Sequence, residues 1–135
     1  MIRKYIKDFL WITAIIVILS SCKKASKTSI TPVQGNVTLN VHVLHHAWEL
    51  NNIKVYLKYN TVLYPGPDSS LYDKYEITDG YGKVSFTQLY PGNYYIYGIG
   101  FDASWGANVI GYKQIMLSKE NIANNEMSVT LYVSE

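Results

Sequence analysis

The 135-residue sequence is poor in the residues that cross-link a chain or give it a strong charge. Cys22 is its single cysteine, so no intrachain disulfide is possible. Arg3 is its single arginine, and residues 23–135 carry nine lysines against nine acidic residues. Residues 35–135 alone carry six lysines against nine acids. Nucleic-acid-binding proteins present a basic face, so this balance predicts that nucleic acid is not a partner.

An apolar run long enough to cross a bilayer is also missing. The longest run, Phe9 to Leu19, has 11 residues, whereas a membrane-spanning helix needs roughly 20. A basic opening precedes this run and small residues follow it, which is the pattern of a secretory signal peptide. We therefore predict a signal-peptide helix over 1–21; the alternative is a short membrane-embedded helix with a chance cysteine.

The end of this segment, Leu19-Ser20-Ser21-Cys22, resembles the lipobox of bacterial lipoproteins. The resemblance implies that Cys22 is lipidated, carries palmitate and becomes the new N-terminus. It also implies a lipid anchor in the outer membrane of the cell envelope. Residues 22–34 are polar and aperiodic, which indicates a flexible tether before a domain at 35–135. Related lipoproteins often reach the cell surface through acids just after the cysteine; lysines stand here, so the periplasmic or surface side stays open.

The rest of the chain alternates apolar and polar residues, the pattern of strands buried on one face. Turn residues separate these runs, most clearly at Asp79-Gly80, Gly82 and Pro91-Gly92. The predicted strands begin near 37, 53, 72, 83, 94, 109 and 127. Seven short strands without a convincing helix predict an all-β, antiparallel sandwich of the Ig-like or prealbumin-like kind.

Four details refine this prediction. The charged strand 72–77 is expected at a sheet edge. Phe101 to Gly106 is expected to form a loop, Gly111 to mark a β-bulge, and 118–126 to hold one helical turn.

The segment Thr78–Ile96 reads Thr-Asp-x-x-Gly-x-Val-x-Phe-x-x-Leu-x-Pro-Gly-x-Tyr-x-Ile. It resembles the carboxypeptidase regulatory-like group of prealbumin-type (transthyretin-like) sandwiches. The resemblance implies a non-catalytic module in which the hydroxyl of Tyr94 bonds back to nearby backbone. A lipobox followed by one short sandwich is also similar to small lipoproteins of Bacteroidetes.

Three histidines, His42, His45 and His46, lie within five residues. Imidazoles favour zinc, copper or nickel, so one alternative is a His-based metal-binding lipoprotein. His42 lies on a predicted strand, however, whereas the adjacent His45 and His46 are expected to diverge. No cysteine, and no nearby carboxylate beyond Glu49, completes a ligand set. We therefore predict no metal and no cofactor, and interpret the histidines as a polar strand end. Calcium is not expected either, because the aspartates form no Asp-x-Asp-x-Asp run.

A second alternative is an enzyme. Val41-His42-Val43-Leu44 looks like the opening motif of the transthyretin-related hydroxyisourate hydrolases. Those enzymes also need an arginine, a further histidine and a C-terminal Tyr-Arg-Gly-Ser, and residues 23–135 contain no arginine. No Gly-x-Ser-x-Gly elbow supports a hydrolytic triad. We predict no catalytic residue.

The excess of aromatic residues is the most unusual feature, with 13 tyrosines and three tryptophans. Tyr95 and Tyr97 share one strand face, and Trp48 and Trp105 lie in predicted loops. If that face is exposed, these four residues form a binding patch for an envelope protein or a glycan. The alternative is that the rings cover the sheet. The sequence thus favours a non-enzymatic, lipid-anchored binding or structural module of the cell envelope.

Replacement of Cys22 by serine tests the anchor. The wild-type chain should incorporate an alkyne-tagged palmitate and sediment with membranes, and Cys22→Ser should do neither because it lacks the acyl-accepting thiol. Ser21→Ala, which keeps a small residue before the cysteine, should behave as wild type. Palmitate labelling of Cys22→Ser would contradict the prediction.

Overall fold

The fold is known from a computed structural model that describes residues 35–135. The predicted signal peptide, the lipidation of Cys22 and the 22–34 tether fall outside the described residues. Eight strands make up the fold: β1 (Val37–His45), β2 (Trp48–Glu49), β3 (Lys54–Tyr59), β4 (Lys74–Ile77), β5 (Lys83–Leu89), β6 (Gly92–Asp102), β7 (Ala107–Leu117) and β8 (Glu126–Tyr132). A short 3-10 turn spans Ser69–Leu71. Residues 35–135 include no helix with the length and apolar character to cross a membrane.

The strands form two sheets of four. In the first sheet β1 pairs with β5 and β2 antiparallel and with β8 parallel. The second sheet has the order β4-β3-β6-β7 and is antiparallel throughout. The predicted all-β sandwich is confirmed, with the parallel β1–β8 pair as a departure from pure antiparallel pairing. The strand at 72–77 does lie at an edge, as β4.

The core follows from the alternation in the sequence. Along β1, each odd-numbered residue from Val37 to His45 is buried and each even-numbered residue is partly exposed. Leu39, Phe86, Ile96 and Leu57 are fully buried and bring both sheets into one apolar cluster. At the start of β6 the hydroxyl of Tyr94 donates to the backbone oxygen of Tyr90 at 2.7 Å, as the family resemblance implied.

Several boundaries differ from prediction. β6 continues to Asp102, so the loop predicted at 101–106 shrinks to 103–106. The turn region predicted after β1 contains the two-residue strand β2. Residues 118–122 form a single turn in which the backbone oxygen of Ser118 accepts from the N–H of Ile122.

The bulge predicted at Gly111 is wrong. β6 and β7 pair in one unbroken register, with Gly98 opposite Gly111. Glycine is needed there because the chain after β8 crosses to the second sheet and exchanges two backbone hydrogen bonds, both 2.8 Å, between Ser134 and Ile110. A Cβ on Gly111 would collide with the backbone oxygen of Tyr132 and lie 2.8 Å from Cγ1 of Val133.

Gly111→Ala should therefore destabilise the fold by about 1–3 kcal/mol, the usual effect of overpacking, in urea unfolding followed by circular dichroism. Gly80→Ala is the matched control, because an added Cβ there meets nothing within 4 Å. Equal stability of the two variants would show that the chain does not cross so closely over Gly111.

Candidate functional site

A buried imidazole lies between two carboxylates at one end of the sandwich. His45 ends β1 and is 1% exposed, and Asp102 ends β6 in the other sheet and is 3% exposed. His45 Nδ1 lies 2.8 Å from Asp102 Oδ2, and His45 Nε2 lies 2.8 Å from Glu135 Oε2. A carboxylate can only accept, so Nδ1 donates its proton to Asp102. The interaction connects the two sheets and the segment after β8.

Each charged group in this cluster shifts the pKa of its neighbours toward the charged form. The hydrogen bond that His45 donates to Asp102 raises the pKa of His45, with help from Glu135 and against the opposing effect of burial. The pKa of Asp102 is lowered, chiefly by His45 and also by the backbone N–H groups of Ser104 and Trp105. Glu135 also has a lowered pKa, because its carboxylate accepts from its own backbone N–H and from His45. The cluster is thus an ion pair extended over three residues.

His46 is brought onto the same cluster by an unusual turn. His46 and Ala47 have φ values of 48° and 68° and form the two-residue turn between β1 and β2. This left-handed conformation turns the His46 ring back onto His45, with ring centroids 4.1 Å apart. Nε2 of His46 lies 3.9 Å from Glu135 Oε1. The expectation that the two adjacent side chains diverge is wrong, because the left-handed turn brings the two rings together. The expectation that Glu49 is the one nearby carboxylate is also wrong, since Glu135 lies beside both histidines.

Two exposed tryptophans lie beside this cluster. Trp105 belongs to the loop after Asp102, and its ring centroid is 4.4 Å from that of His46. Trp48 follows the β1–β2 turn. Their side chains are 57% and 71% exposed. They line a cavity of about 360 Å³ together with Glu49, Leu50, Asp102 and Ser104.

Tyr95 and Tyr97, the other half of the predicted patch, are not on this surface. They are 9% and 2% exposed, so the condition on which the patch depended, an exposed face, is not met for them. Tyr97 lies five residues before Asp102, or roughly 17 Å along the strand. The structure therefore brings Trp48 and Trp105 together and separates them from the two tyrosines.

Other tyrosine rings cover this face of the second sheet. Tyr75, Tyr56, Tyr97 and Tyr112 are paired in register across all four strands. From the loop before β4, the ring of Tyr72 stacks on Tyr97 at 5.7 Å and that of Tyr64 stacks on Tyr112 at 4.8 Å. Tyr72 Oη donates to the backbone oxygen of Gly66 at 2.8 Å and so holds the loop in place. Burial raises the pKa of Tyr97 and of Tyr72.

His42, the third histidine, lies apart from the other two. It points to the outer face of the first sheet and lines a groove of about 450 Å³ with polar neighbours that include Asn40, Ser85 and Thr130. Its Nε2 is 3.3 Å from Glu49 Oε1, at an angle that does not form a hydrogen bond. The groove contains Lys83 as its cationic residue.

Two of the loop aspartates hold backbone turns. Asp68 accepts from the N–H of Ser70, and Asp79 accepts from those of Tyr81 and Lys83. Asp73 accepts from Lys58 and from the N–H of Tyr59. Among residues 35–135, one group of three histidine or acidic side chains has ligand atoms close enough to share an ion: His45, His46 and Glu135.

No protein-family model matches this chain, and no curated protein matches it. Solved structures do resemble it. A single-substitution variant of BcpA, the major pilin subunit of Bacillus cereus, is 12% identical with a TM-score of 0.50 over 75% of this chain and 30% of the pilin. The unsubstituted pilin is also 12% identical, with a TM-score of 0.49, and the match covers 74% of this chain and 30% of the pilin. A candidate carbohydrate-binding protein from Pseudomonas aeruginosa is 17% identical, with a TM-score of 0.46, and the match covers 76% of this chain and 92% of that protein. The chain thus spans under a third of the pilin, and likeness at such identities shows the β-sandwich fold alone.

The contrast between Tyr97 and Trp48 can be measured. Tyr97→Ala should lower the free energy of unfolding by about 3–5 kcal/mol, because it opens a cavity beneath the covering rings. Trp48→Ala removes an exposed ring and should change stability by no more than about 0.5 kcal/mol. Urea unfolding followed by circular dichroism compares the two variants. A Tyr97→Ala variant as stable as Trp48→Ala would contradict the observed burial.

Proposed function

We propose that this chain is a non-enzymatic, lipid-anchored binding module of the bacterial cell envelope, with its binding site at the end of the sandwich that carries Trp48 and Trp105. The observation on which this rests is that two largely exposed tryptophans line one cavity. Large aromatic side chains left in water are typical of surfaces that meet a ligand or partner. The cavity volume falls within the range of ligand sites.

A glycan fits the chemistry of this cavity better than an apolar ligand does. The indole rings offer flat apolar faces against which the C–H groups of a sugar ring can pack. Glu49 and Ser104, which also line the cavity, bear a carboxylate and a hydroxyl that can bond to sugar hydroxyls. An envelope protein is the alternative partner.

The anchor and the location belong to the same proposal. The lipobox-like Leu19-Ser20-Ser21-Cys22 supports acylation at Cys22 and attachment to the outer membrane. Lysines directly after the cysteine leave the side of that membrane undecided. The hydroxyisourate hydrolase alternative gains little support, since Lys83 is the cation of the groove around His42 and residues 23–135 have no arginine.

Affinity electrophoresis tests the glycan proposal. The full chain, purified in detergent, is run through native gels that contain soluble bacterial exopolysaccharide, β-glucan or mannan. At least one polysaccharide should retard it, and Trp48→Ala and Trp105→Ala should each weaken the retardation about tenfold because each removes a stacking surface. Tyr90→Ala is the control, since this exposed aromatic lies at the opposite end of β6.

Two results would count against the proposal. If every polysaccharide leaves the mobility unchanged, glycan binding is rejected. If the tryptophan variants are retarded like the wild type while Tyr90→Ala is not, the binding site lies elsewhere.

A further inference from the structure

Three potential metal ligands meet at the end of the sandwich. One ring nitrogen each of His45 and His46 and one carboxylate oxygen of Glu135 all lie within 4.8 Å of one another. Glu135 Oε2 is 2.8 Å from His45 Nε2, and Glu135 Oε1 is 3.9 Å from His46 Nε2. A tetrahedral zinc ion with ligands at its usual distances would hold such atoms about 3.4 Å apart. These two distances lie on either side of this value, and rotation of the side chains would bring the three ligands onto a common ion.

Asp102 supplies the outer partner that metal-bound histidines have. A ligating imidazole commonly donates its second N–H to a carboxylate, which fixes its tautomer and its orientation. Asp102 does this for His45 at 2.8 Å, and the N–H of Ser104 in turn bonds to Asp102 at 2.8 Å. The arrangement holds the proton on Nδ1 and directs Nε2 toward Glu135 and His46.

The backbone at His46 explains how its ring reaches the other two ligands. His46 and Ala47 form a two-residue turn with positive φ at both positions. In this turn the His46 ring packs against the rings of His45 and Trp105, with centroids 4.1 Å and 4.4 Å away.

The donor set selects the type of ion. Two imidazole nitrogens and one carboxylate suit zinc or a neighbouring transition metal, whereas calcium requires six to eight oxygens. The charge of the site also favours a divalent cation, because two positive charges balance the two carboxylates of Asp102 and Glu135 around a neutral His45. Three protein ligands leave the fourth position of zinc free, and the half-exposed side chains of His46 and Glu135 place the site at the surface.

We propose that His45, His46 and Glu135 form a zinc-type transition-metal site, with Asp102 as the positioning carboxylate behind His45. This goes beyond the proposed glycan binding and does not depend on it. His42 takes no part, since it lies on the outer face of the first sheet and contacts Glu49.

The full chain is purified in detergent without a polyhistidine tag and freed of metal with a chelator. It is then titrated with Zn²⁺ in competition with a chromophoric zinc indicator. One zinc per chain should bind. His46→Asn keeps a residue suited to the left-handed turn but removes a ligand, and should weaken zinc binding at least tenfold. Glu135→Gln should weaken it similarly. His42→Asn, on the same strand, should bind as the wild type does.

A thermal measurement separates loss of a ligand from loss of the fold. Without zinc, His46→Asn should have the same melting temperature as the wild type. With zinc, the melting temperatures of the wild type and of His42→Asn should rise, because the ion binds the native state. The melting temperature of His46→Asn should not rise. The proposal is overturned if the wild type binds no zinc, if His46→Asn and Glu135→Gln both bind like the wild type, or if His42→Asn abolishes binding.

Discussion

The contact between His45 and Asp102 is the interaction on which one end of the sandwich depends. It joins the last residue of β1 to the last residue of β6, across the two sheets, where both side chains are almost fully buried. Removing one member of a buried ion pair typically costs about 3–5 kcal/mol, because the other charge is left without a partner. The pair therefore fixes the relative position of the two strand ends, from which the β1–β2 turn and the 103–106 loop extend.

The remaining features of the site follow from that constraint. Asp102 positions Ser104 and the loop that carries Trp105, and His45 precedes the turn that carries His46 and Trp48. The chain after β8 reaches the same place, because its bridge to Ile110 leads Glu135 onto His45. Three separate parts of the sequence thus meet at one end, whereas the tyrosine-covered face of the second sheet stabilises the fold through packing.

The sequence predicts the sandwich well because strand alternation is a local signal. The sequence also contains an indication of the site. The buried face of β1 runs through Val37, Leu39, Val41 and Val43, and His45 is the next residue of that face. A histidine in a core position needs polar partners. Those partners, Asp102 and Glu135, are 57 and 90 residues away, and no local pattern specifies them. The covering of Tyr97 by Tyr64 and Tyr72 and the crossing over Gly111 are likewise contacts between distant segments.

The proposed zinc site depends on these distant segments meeting at one end of the sandwich. Anomalous diffraction from crystals of the protein grown with zinc, with data collected on both sides of the zinc absorption edge, tests the proposed site most directly. We expect one anomalous peak in contact with His45 Nε2, His46 Nε2 and the Glu135 carboxylate, while His45 Nδ1 stays bonded to Asp102. An empty site with His45 Nε2 still bonded to Glu135 at saturating zinc would contradict it.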